Sequence, residues 1–360
     1  MMDRPARPHL LVTGGAGFIG SAFVREILAR RDGTRITVLD KLTYAGNEAN
    51  LAPVRTDLEQ AARLAFVCGD IADPGTVAPL VAAVDAIVNF AAESHVDRSI
   101  LDPEAFLRTG VVGVHVLLDA LRREADRFAA GERAAAPRLV QVSTDEVYGS
   151  IGEGRAGEND ALAPRSPYAA AKAAGDLLAR AHHVTYGSDV VITRGSNTYG
   201  PYQHPEKLIP LFVTNAIDDL PLPLYGDGLQ RREWLAVNDH ALAIEHVLWH
   251  GAAGEMYNIP GSAELPNREV VRRLLARLGK PWSLVRSVED RPGHDRRYAM
   301  DGAKLAALGW RARVPFEAGL AATVDWFVAN EAWWRAVRTG AWEGYYERMY
   351  DARLAASREA

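Results

Sequence analysis

The sequence has one cysteine, Cys68, in 360 residues, which excludes an internal disulfide framework and a multi-cysteine metal site and fits a reducing compartment, the cytoplasm. No metal is expected. Positive charge is not in surplus either, because 41 Lys and Arg stand against 46 Asp and Glu, a formal net charge of −5. Such a chain has no basic field to gather nucleic acid or an anionic membrane, so any phosphate must be met locally. Long hydrophobic runs are missing too. Met1 to Pro8 is polar and broken by proline, and Leu10-Leu11-Val12 runs directly into glycines, so neither a secretory signal nor a spanning helix can be drawn. There is no internal repeat, and low complexity is confined to alanine-rich helical stretches.

What is present is an alternation of short Val/Ile/Leu runs with longer stretches of helical period, the pattern of βαβ units around a parallel sheet. Strands are expected at His9 to Thr13, Arg35 to Asp40, Ala65 to Gly69, Ala86 to Phe90, Arg138 to Ser143 and Val190 to Arg194. Helices are expected at Phe18 to Arg30, Thr76 to Val84, Pro103 to Phe128 and Pro167 to Tyr186, with Ala129 to Pro137 a surface loop. The fold class is therefore α/β, a doubly wound parallel sheet with its ligand crevice at the strand C-terminal ends. After Asn197 the alternation stops. Pro201, Pro205, Pro210, Pro221 and Pro223 punctuate pieces too short for long elements, a second and lid-like region.

Thr13-Gly14-Gly15-Ala16-Gly17-Phe18-Ile19-Gly20 follows a strand and opens a helix, where glycines let backbone N–H groups and a helix N-terminus approach a pyrophosphate. On its own the string also suits a plain tight turn. Asp40 ends the second strand, where a carboxylate can accept both ribose hydroxyls of NAD and repel the extra phosphate of NADP, an argument that the adjacent Lys41 weakens. Asp70-Ile71, after the third strand, suits either an adenine contact or a turn and capping role.

On the helix from Pro167, Tyr168 and Lys172 are four residues apart and share a face. A neighbouring ammonium favours phenolate, so Tyr168 is expected to have a lowered pKa and to serve as a base for a hydroxyl. Y-x-x-x-K alone equally describes a solvated helix face; the strand ending in Ser143-Thr144 just before it is what sharpens the reading. Asp145 and Glu146 come next. An isolated acidic pair suits a solvated turn, but two carboxyls facing one ligand cannot both ionise cheaply, so one stays protonated as an acid while the other is a base. Loss of water beside a new ketone needs that division.

These strings resemble the dTDP-glucose 4,6-dehydratases, extended short-chain dehydrogenase/reductases, over about residues 9 to 345. Carrying the resemblance are TGGAGFIGS at Thr13 to Ser21, LDKLTYAGN at Leu39 to Asn47, AAESHVDRSI at Ala91 to Ile100, STDEVYG at Ser143 to Gly149 and YAAAK at Tyr168 to Lys172. SNTYGPYQHPEKLIP at Ser196 to Pro210, YGDG at Tyr225 to Gly228 and DRPGHDRRY at Asp290 to Tyr298 continue it. The resemblance implies an NAD-binding Rossmann-like domain over 1–200, to which 236–261 returns. It implies a smaller α/β substrate-binding region from 201–235 and 262–345, and a polar tail over 346–360.

By the same resemblance, Tyr168 takes the C4 hydroxyl proton of dTDP-glucose with Lys172 behind it, Thr144 holds the C4 oxygen, Glu146 takes the C5 proton and Asp145 protonates the departing C6 hydroxyl. NAD is reduced and reoxidised in each turnover and stays bound. Cofactor contacts fall at Gly14, Gly17, Phe18, Ile19, Gly20, Asp40, Lys41, Leu42, Thr43, Asp70, Ile71, Ala91, Ala92, Thr109, Tyr168, Lys172 and Asn197. Substrate contacts fall at Ser94, Thr144, Asn197, Lys207, Leu208, Pro223, Tyr225, Arg232, Asn267, Arg291 and His294, with Arg232, Arg291 and Lys207 the cations for a diphosphate. A homodimer through the two long helices is expected. Glu233, Ala171 and Pro260 depart from the residues usual in the family. A 4-epimerase, a UDP-glucuronate decarboxylase and a non-catalytic NAD-binding scaffold are the alternatives; Asp145 discriminates against the two enzymes, neither of which expels a C6 hydroxyl, and the intact Thr144, Asp145, Glu146, Tyr168 and Lys172 argue against the scaffold. Trp333, Trp334 and Trp342 read as packing residues.

Overall fold

A computed structural model describes residues 5–30, 32–339 and 341–356. Its strands, in chain order, are β1 His9–Thr13, β2 Arg35–Asp40, β3 Leu64–Cys68, β4 Ala86–Asn89, β5 Arg138–Thr144, β6 Val190–Gly195, β7 Asn197–Tyr199, β8 Leu222–Tyr225, β9 Arg231–Ala236, β10 Met256–Ile259, β11 Ala263–Pro266 and β12 Val285–Val288. Seven of them form one parallel sheet in the order β10-β6-β5-β4-β1-β2-β3. The chain runs outward from β1 to β3, then crosses back to β4 and runs the other way. The crevice between β1 and β4 is the switch point at which such sheets bind ligands.

The six expected strands are found with ends moved by at most one residue. β10 was not anticipated, because its four residues are too short to show a period. Among the helices, Phe18–Ala29 and Pro167–Tyr186 match their expected spans closely. The helix expected from Thr76 starts two residues earlier, at Pro74, because Asp73 accepts the Gly75 N–H at 3.0 Å and proline suits the first turn. The long helix from Glu104 to Ala129 carries a π turn over Arg108–Gly113. Gly110 and Gly113 are its close-approach points: a Cβ on Gly110 would lie 3.1 Å from that of Ala171, and one on Gly113 would lie 2.5 Å from Ile71 Cδ1.

Beyond β6, the structure corrects the expectation of short pieces. Leu208–Ile217 is a ten-residue helix, and Pro210 is tolerated because first-turn N–H groups need no intrahelical acceptor. The small sheets β11-β9-β7 and β12-β8 flank it. Val237–His250 then carries the chain back, burying Ala241, Ile244, Val247 and Leu248 in the core of the large sheet. A second core gathers Phe212, Leu224, Trp234, Phe316, Phe327, Trp334 and Trp342. The polar tail expected from residue 346 is a further correction. Glu347–Asp351 and Ala352–Ala356 are helical, and Met349, Tyr350 and Leu354 are buried in that second core; only 357–360 of that segment lie outside the described residues. Among the described residues no helix is long and apolar enough to cross a membrane, and no cluster of metal-ligating side chains occurs.

Candidate active site

β5 ends at Thr144, and the chain turns at once through the 3₁₀ turn Asp145–Tyr148, closing on Gly149 at φ 72°. Thr144 Oγ1 accepts the Glu146 N–H at 3.3 Å and donates to Asp145 Oδ1 at 3.0 Å. A continuing strand would send the two acids to opposite faces; the turn puts both on the wall of one cleft. Gly149 permits this, since its φ lies in the left-handed region and a Cβ there would strike the Ala163 carbonyl. Opposite, Ser166 caps the helix from Pro167 by accepting the Ala169 N–H at 3.1 Å, and that helix presents Tyr168 and Lys172 to the same cleft of about 1500 Å³, part of it open to solvent.

The two acids differ electrostatically. Asp145 is 3% exposed; burial, then the neighbouring Glu146, push its pKa well above the usual carboxylate range. Glu146, half-buried, is also pushed up by desolvation, but Arg291, Lys207 and Arg232 pull against the shift. Burial lowers the Lys172 pKa to about 8, with Asp176 opposing, and its ammonium donates to the Val142 carbonyl. Tyr168 corrects the expected direction. Desolvation, Glu146 and Asp145 raise its pKa, so in the chain alone it is a phenol; two nearby carboxyls and burial outweigh the ammonium that the spacing put beside it.

The dinucleotide half of the cleft fits its expected occupant. Gly14 has φ 67°, and a Cβ on it would lie 2.6 Å from Ala91 N. The helix Phe18–Ala29 has no side-chain N-cap, which leaves its first N–H groups open to an anion. Asp40 Oδ2 accepts the Ala16 N–H at 2.9 Å and Oδ1 accepts that of Leu42 at 2.8 Å, so this carboxylate also fixes the glycine loop. Leu42, in a left-handed conformation with φ 54°, is the one expected cofactor residue that does not line the cleft; Gly17, Phe18, Ile19, Gly20, Lys41, Thr43, Ile71, Ala91, Ala92, Thr109 and Asn197 do. Asp70 lines it as well, while its Oδ1 accepts the Ala72 N–H at 2.9 Å and its Oδ2 pairs with Lys41 at 2.8 Å. Both readings of Asp70 thus have a counterpart in its surroundings, and Lys41 is committed to it.

Of the expected substrate residues, Ser94, Thr144, Asn197 and Lys207 line the cleft, and Lys207 Nζ donates to the Ser94 carbonyl at 2.6 Å. Arg232 and Arg291 are brought close enough to Glu146 to act on its charge. Arg232 Nη2 donates to the Asp295 carbonyl at 2.8 Å, and its guanidinium lies 4.2 Å over the Tyr298 ring. The adjoining Glu233 is held separately, by Arg155 and by the Met300 N–H. Tyr225 and His294 meet edge to face at 5.9 Å. Leu208, Pro223, Tyr225, Arg232, Asn267, Arg291 and His294 do not line the cleft itself; Leu208 starts its helix against the second core and Pro223 is within β8. Asn267, at 7% exposure, keeps its Oδ1 unpaired among the described residues.

Sequence reasoning missed Asp176, Glu206 and Asp97. Asp176 pairs with Arg194 at 3.0 Å behind Lys172, and its place four residues after Lys172 on one helix was a usable signal. Glu206 is fully buried, receives Arg98 Nε at 2.8 Å, and adjoins Lys207. The Arg98 guanidinium is itself sandwiched between the rings of Tyr44 and Tyr345, at 4.0 and 4.1 Å. No short-range pattern marks such an assembly.

Residues 11–323 match the family model described as GDP-mannose 4,6 dehydratase. The chain is 53% identical to a dTDP-glucose 4,6-dehydratase of Streptomyces niveus, over 92% of this chain and 96% of that one. It is similar to the crystal structure of the DesIV dTDP-glucose 4,6-dehydratase of Streptomyces venezuelae with NAD and a dTDP ligand bound, at 55% identity and a TM-score of 0.85, covering 91% of this chain and 99% of that one. A Thermus thermophilus UDP-glucose 4-epimerase complexed with NAD is more distant, at 31% identity and a TM-score of 0.79 over 89% of this chain and 99% of that one. A shared scaffold thus serves both chemistries, but at over half of the aligned positions this chain is identical to dehydratases: it belongs to the dTDP-glucose 4,6-dehydratase family of extended short-chain dehydrogenase/reductases.

Proposed function

We infer that the chain is an NAD-dependent dTDP-glucose 4,6-dehydratase that makes dTDP-4-keto-6-deoxy-glucose for deoxysugar biosynthesis. The observation that carries this is the pair Asp145 and Glu146, adjacent in sequence, unequal in charge environment, and on the same cleft wall as Thr144, Tyr168 and Lys172. An epimerase has no use for the second acid.

When bound in the glycine-loop half of the cleft, NAD supplies a hydride acceptor for C4 and later a hydride donor for C6. The chain's own groups move the protons. Tyr168, a phenol in the chain alone, would be brought to phenolate by the Lys172 ammonium together with the cationic nicotinamide, and then takes the C4 hydroxyl proton while Thr144 Oγ1 holds the C4 oxygen. The C4 ketone acidifies C5–H. Glu146 removes that proton, and Asp145, held protonated by burial and by Glu146, passes its proton to the C6 hydroxyl, which leaves as water. Glu146 then returns a proton to C5, and with the cofactor restored to its starting state the reaction has no net redox change.

Arg232, Arg291 and Lys207 lie on the Glu146 side, where they serve a diphosphate in a chain of net negative charge. For the assembly, Leu107, Val112 and Phe128 on one long helix and Leu177, Val184 and Tyr186 on the other are all 47–75% exposed. That apolar face supports a homodimer through paired helices.

The test is incubation with dTDP-glucose in deuterium oxide without added cofactor. A 4-keto-6-deoxy sugar with deuterium at C5 is expected. Accumulation of the C4 epimer, or no conversion, would overturn the reading, and faster turnover of UDP-glucose would reassign the substrate.

A further inference from the structure

Asp97, in the short helix Val96–Leu101 three residues past Ser94, is 3% exposed. Its Oδ2 accepts the Tyr225 phenol at 3.1 Å, while its Oδ1 has no hydrogen-bond partner and lies 3.7 Å from Arg291 Nη1. The phenol oxygen also accepts from Arg353 Nη1 at 2.9 Å, and the Tyr225 ring lies against Tyr350. On the other side His95 Nδ1, 3.9 Å from Asp97 Oδ2, meets the Tyr345 hydroxyl at 3.2 Å. A buried carboxylate persists only where partners repay its desolvation. The partners here are a tyrosine and an arginine that the family resemblance gives to the nucleotide sugar, braced from behind by the last helical segment of the chain.

Arg291 lies 3.7 Å from the Asp97 carboxylate and also feels the charge of Glu146. Without Asp97, the guanidinium loses the carboxylate 3.7 Å from its Nη1 that orients it for the substrate. We propose that Asp97 is a positioning residue for the diphosphate of the substrate: it holds Arg291 and Tyr225 in place for the nucleotide, with Arg353 and Tyr345 supporting it from the C-terminal helical segment. The proposal rests on the dehydratase reading for its substrate and on the geometry for its residues.

The experiment compares full-length NAD-loaded protein with its Asp97→Asn variant, which keeps the shape and removes the charge. The KM for dTDP-glucose is expected to rise about tenfold with kcat changed less than about threefold, as loss of one oriented charge contact predicts. Inhibition by dTDP should weaken by the same factor while inhibition by thymidine, which lacks the diphosphate, stays constant. An unchanged KM, or equal weakening of both inhibitors, overturns the proposal. If Asp97→Asn fails to fold, Arg353→Gln reads the same support from its outer end; a KM raised about threefold is expected, and a wild-type KM overturns it. Should the wild type make no keto sugar, the dehydratase reading falls, and dTDP affinity measured by calorimetry on both proteins still decides the role of Asp97.

Discussion

Thr144 is tied to both acidic residues that follow it: its hydroxyl donates to Asp145 Oδ1 at 3.0 Å and accepts the Glu146 backbone N–H at 3.3 Å. One side chain thereby fixes the turn that brings the carboxyls to a common wall. Burial and Glu146 keep the proton on Asp145, while Arg291, Lys207 and Arg232 favour the charge on Glu146.

Asp145→Asn removes the proton that the C6 hydroxyl must take and leaves C4 oxidation possible. Product formation should fall by about 10²–10⁴ while reduced nicotinamide accumulates on addition of dTDP-glucose, seen by absorbance. Glu146→Gln should lose a similar factor and also abolish solvent deuterium at C5, read by mass spectrometry. Full activity in either variant would remove it from the mechanism.

Activity needs Glu146 ionised and Asp145 protonated. Because both pKa values are raised, kcat should climb with pH only above the ordinary carboxylate range. It should fall again as Lys172, lowered to about 8, loses its charge. A kcat profile that stays flat through pH 8 to 9 would separate Lys172 from the alkaline limb.

Glu206 should be a pH-dependent source of stability. Burial opposes its charge, but Arg98 and Lys207, joined by His95 and His204 as these protonate in acid, hold its carboxyl down, from 4.5 to about 2. A depressed acid stabilises the fold fully above its unfolded value and loses that contribution as pH falls through the folded one. Glu206→Gln should therefore cost about 3 kcal/mol at neutral pH, with the gap from wild type closing between about 4.5 and 2. Denaturant unfolding at several pH values measures it, and a constant gap would refute it.

Leu177 and Val184 are 55% and 75% exposed on the helix Pro167–Tyr186. If that face pairs two copies, Leu177→Lys with Val184→Lys should weaken self-association by tenfold or more, about 1.4 kcal/mol. Sedimentation velocity decides it; an unshifted species would place the interface elsewhere.

The parallel sheet was readable because β1, β2, β5 and β6 are dense apolar runs bounded by glycine or acidic residues, and both faces of such strands are covered. The glycine loop and the Thr144-to-Lys172 span were readable because their chemistry is local. What escaped was set by distant contact. Arg232 and Arg291 act on Glu146 from two separate stretches of the second region, and nothing near either arginine reports that. The raised Tyr168 pKa follows from burial and two acids over twenty residues away in sequence, while spacing alone showed the lysine. The segment after Tyr345 looked polar, yet Tyr345, Met349, Tyr350 and Leu354 recur at helical intervals and are buried, a signal overlooked among charged neighbours.

β10 joins the large sheet beside β6 only after an excursion of sixty residues through the second region. A fragment cut near residue 200 would therefore end with β6 as an open margin, its Ile192, Thr193, Arg194 and Gly195 backbone groups available to any passing strand. The nucleotide-binding half is not a detachable module: it is finished by sequence that lies beyond its own apparent end, and expressing it alone invites aggregation rather than a working half-enzyme.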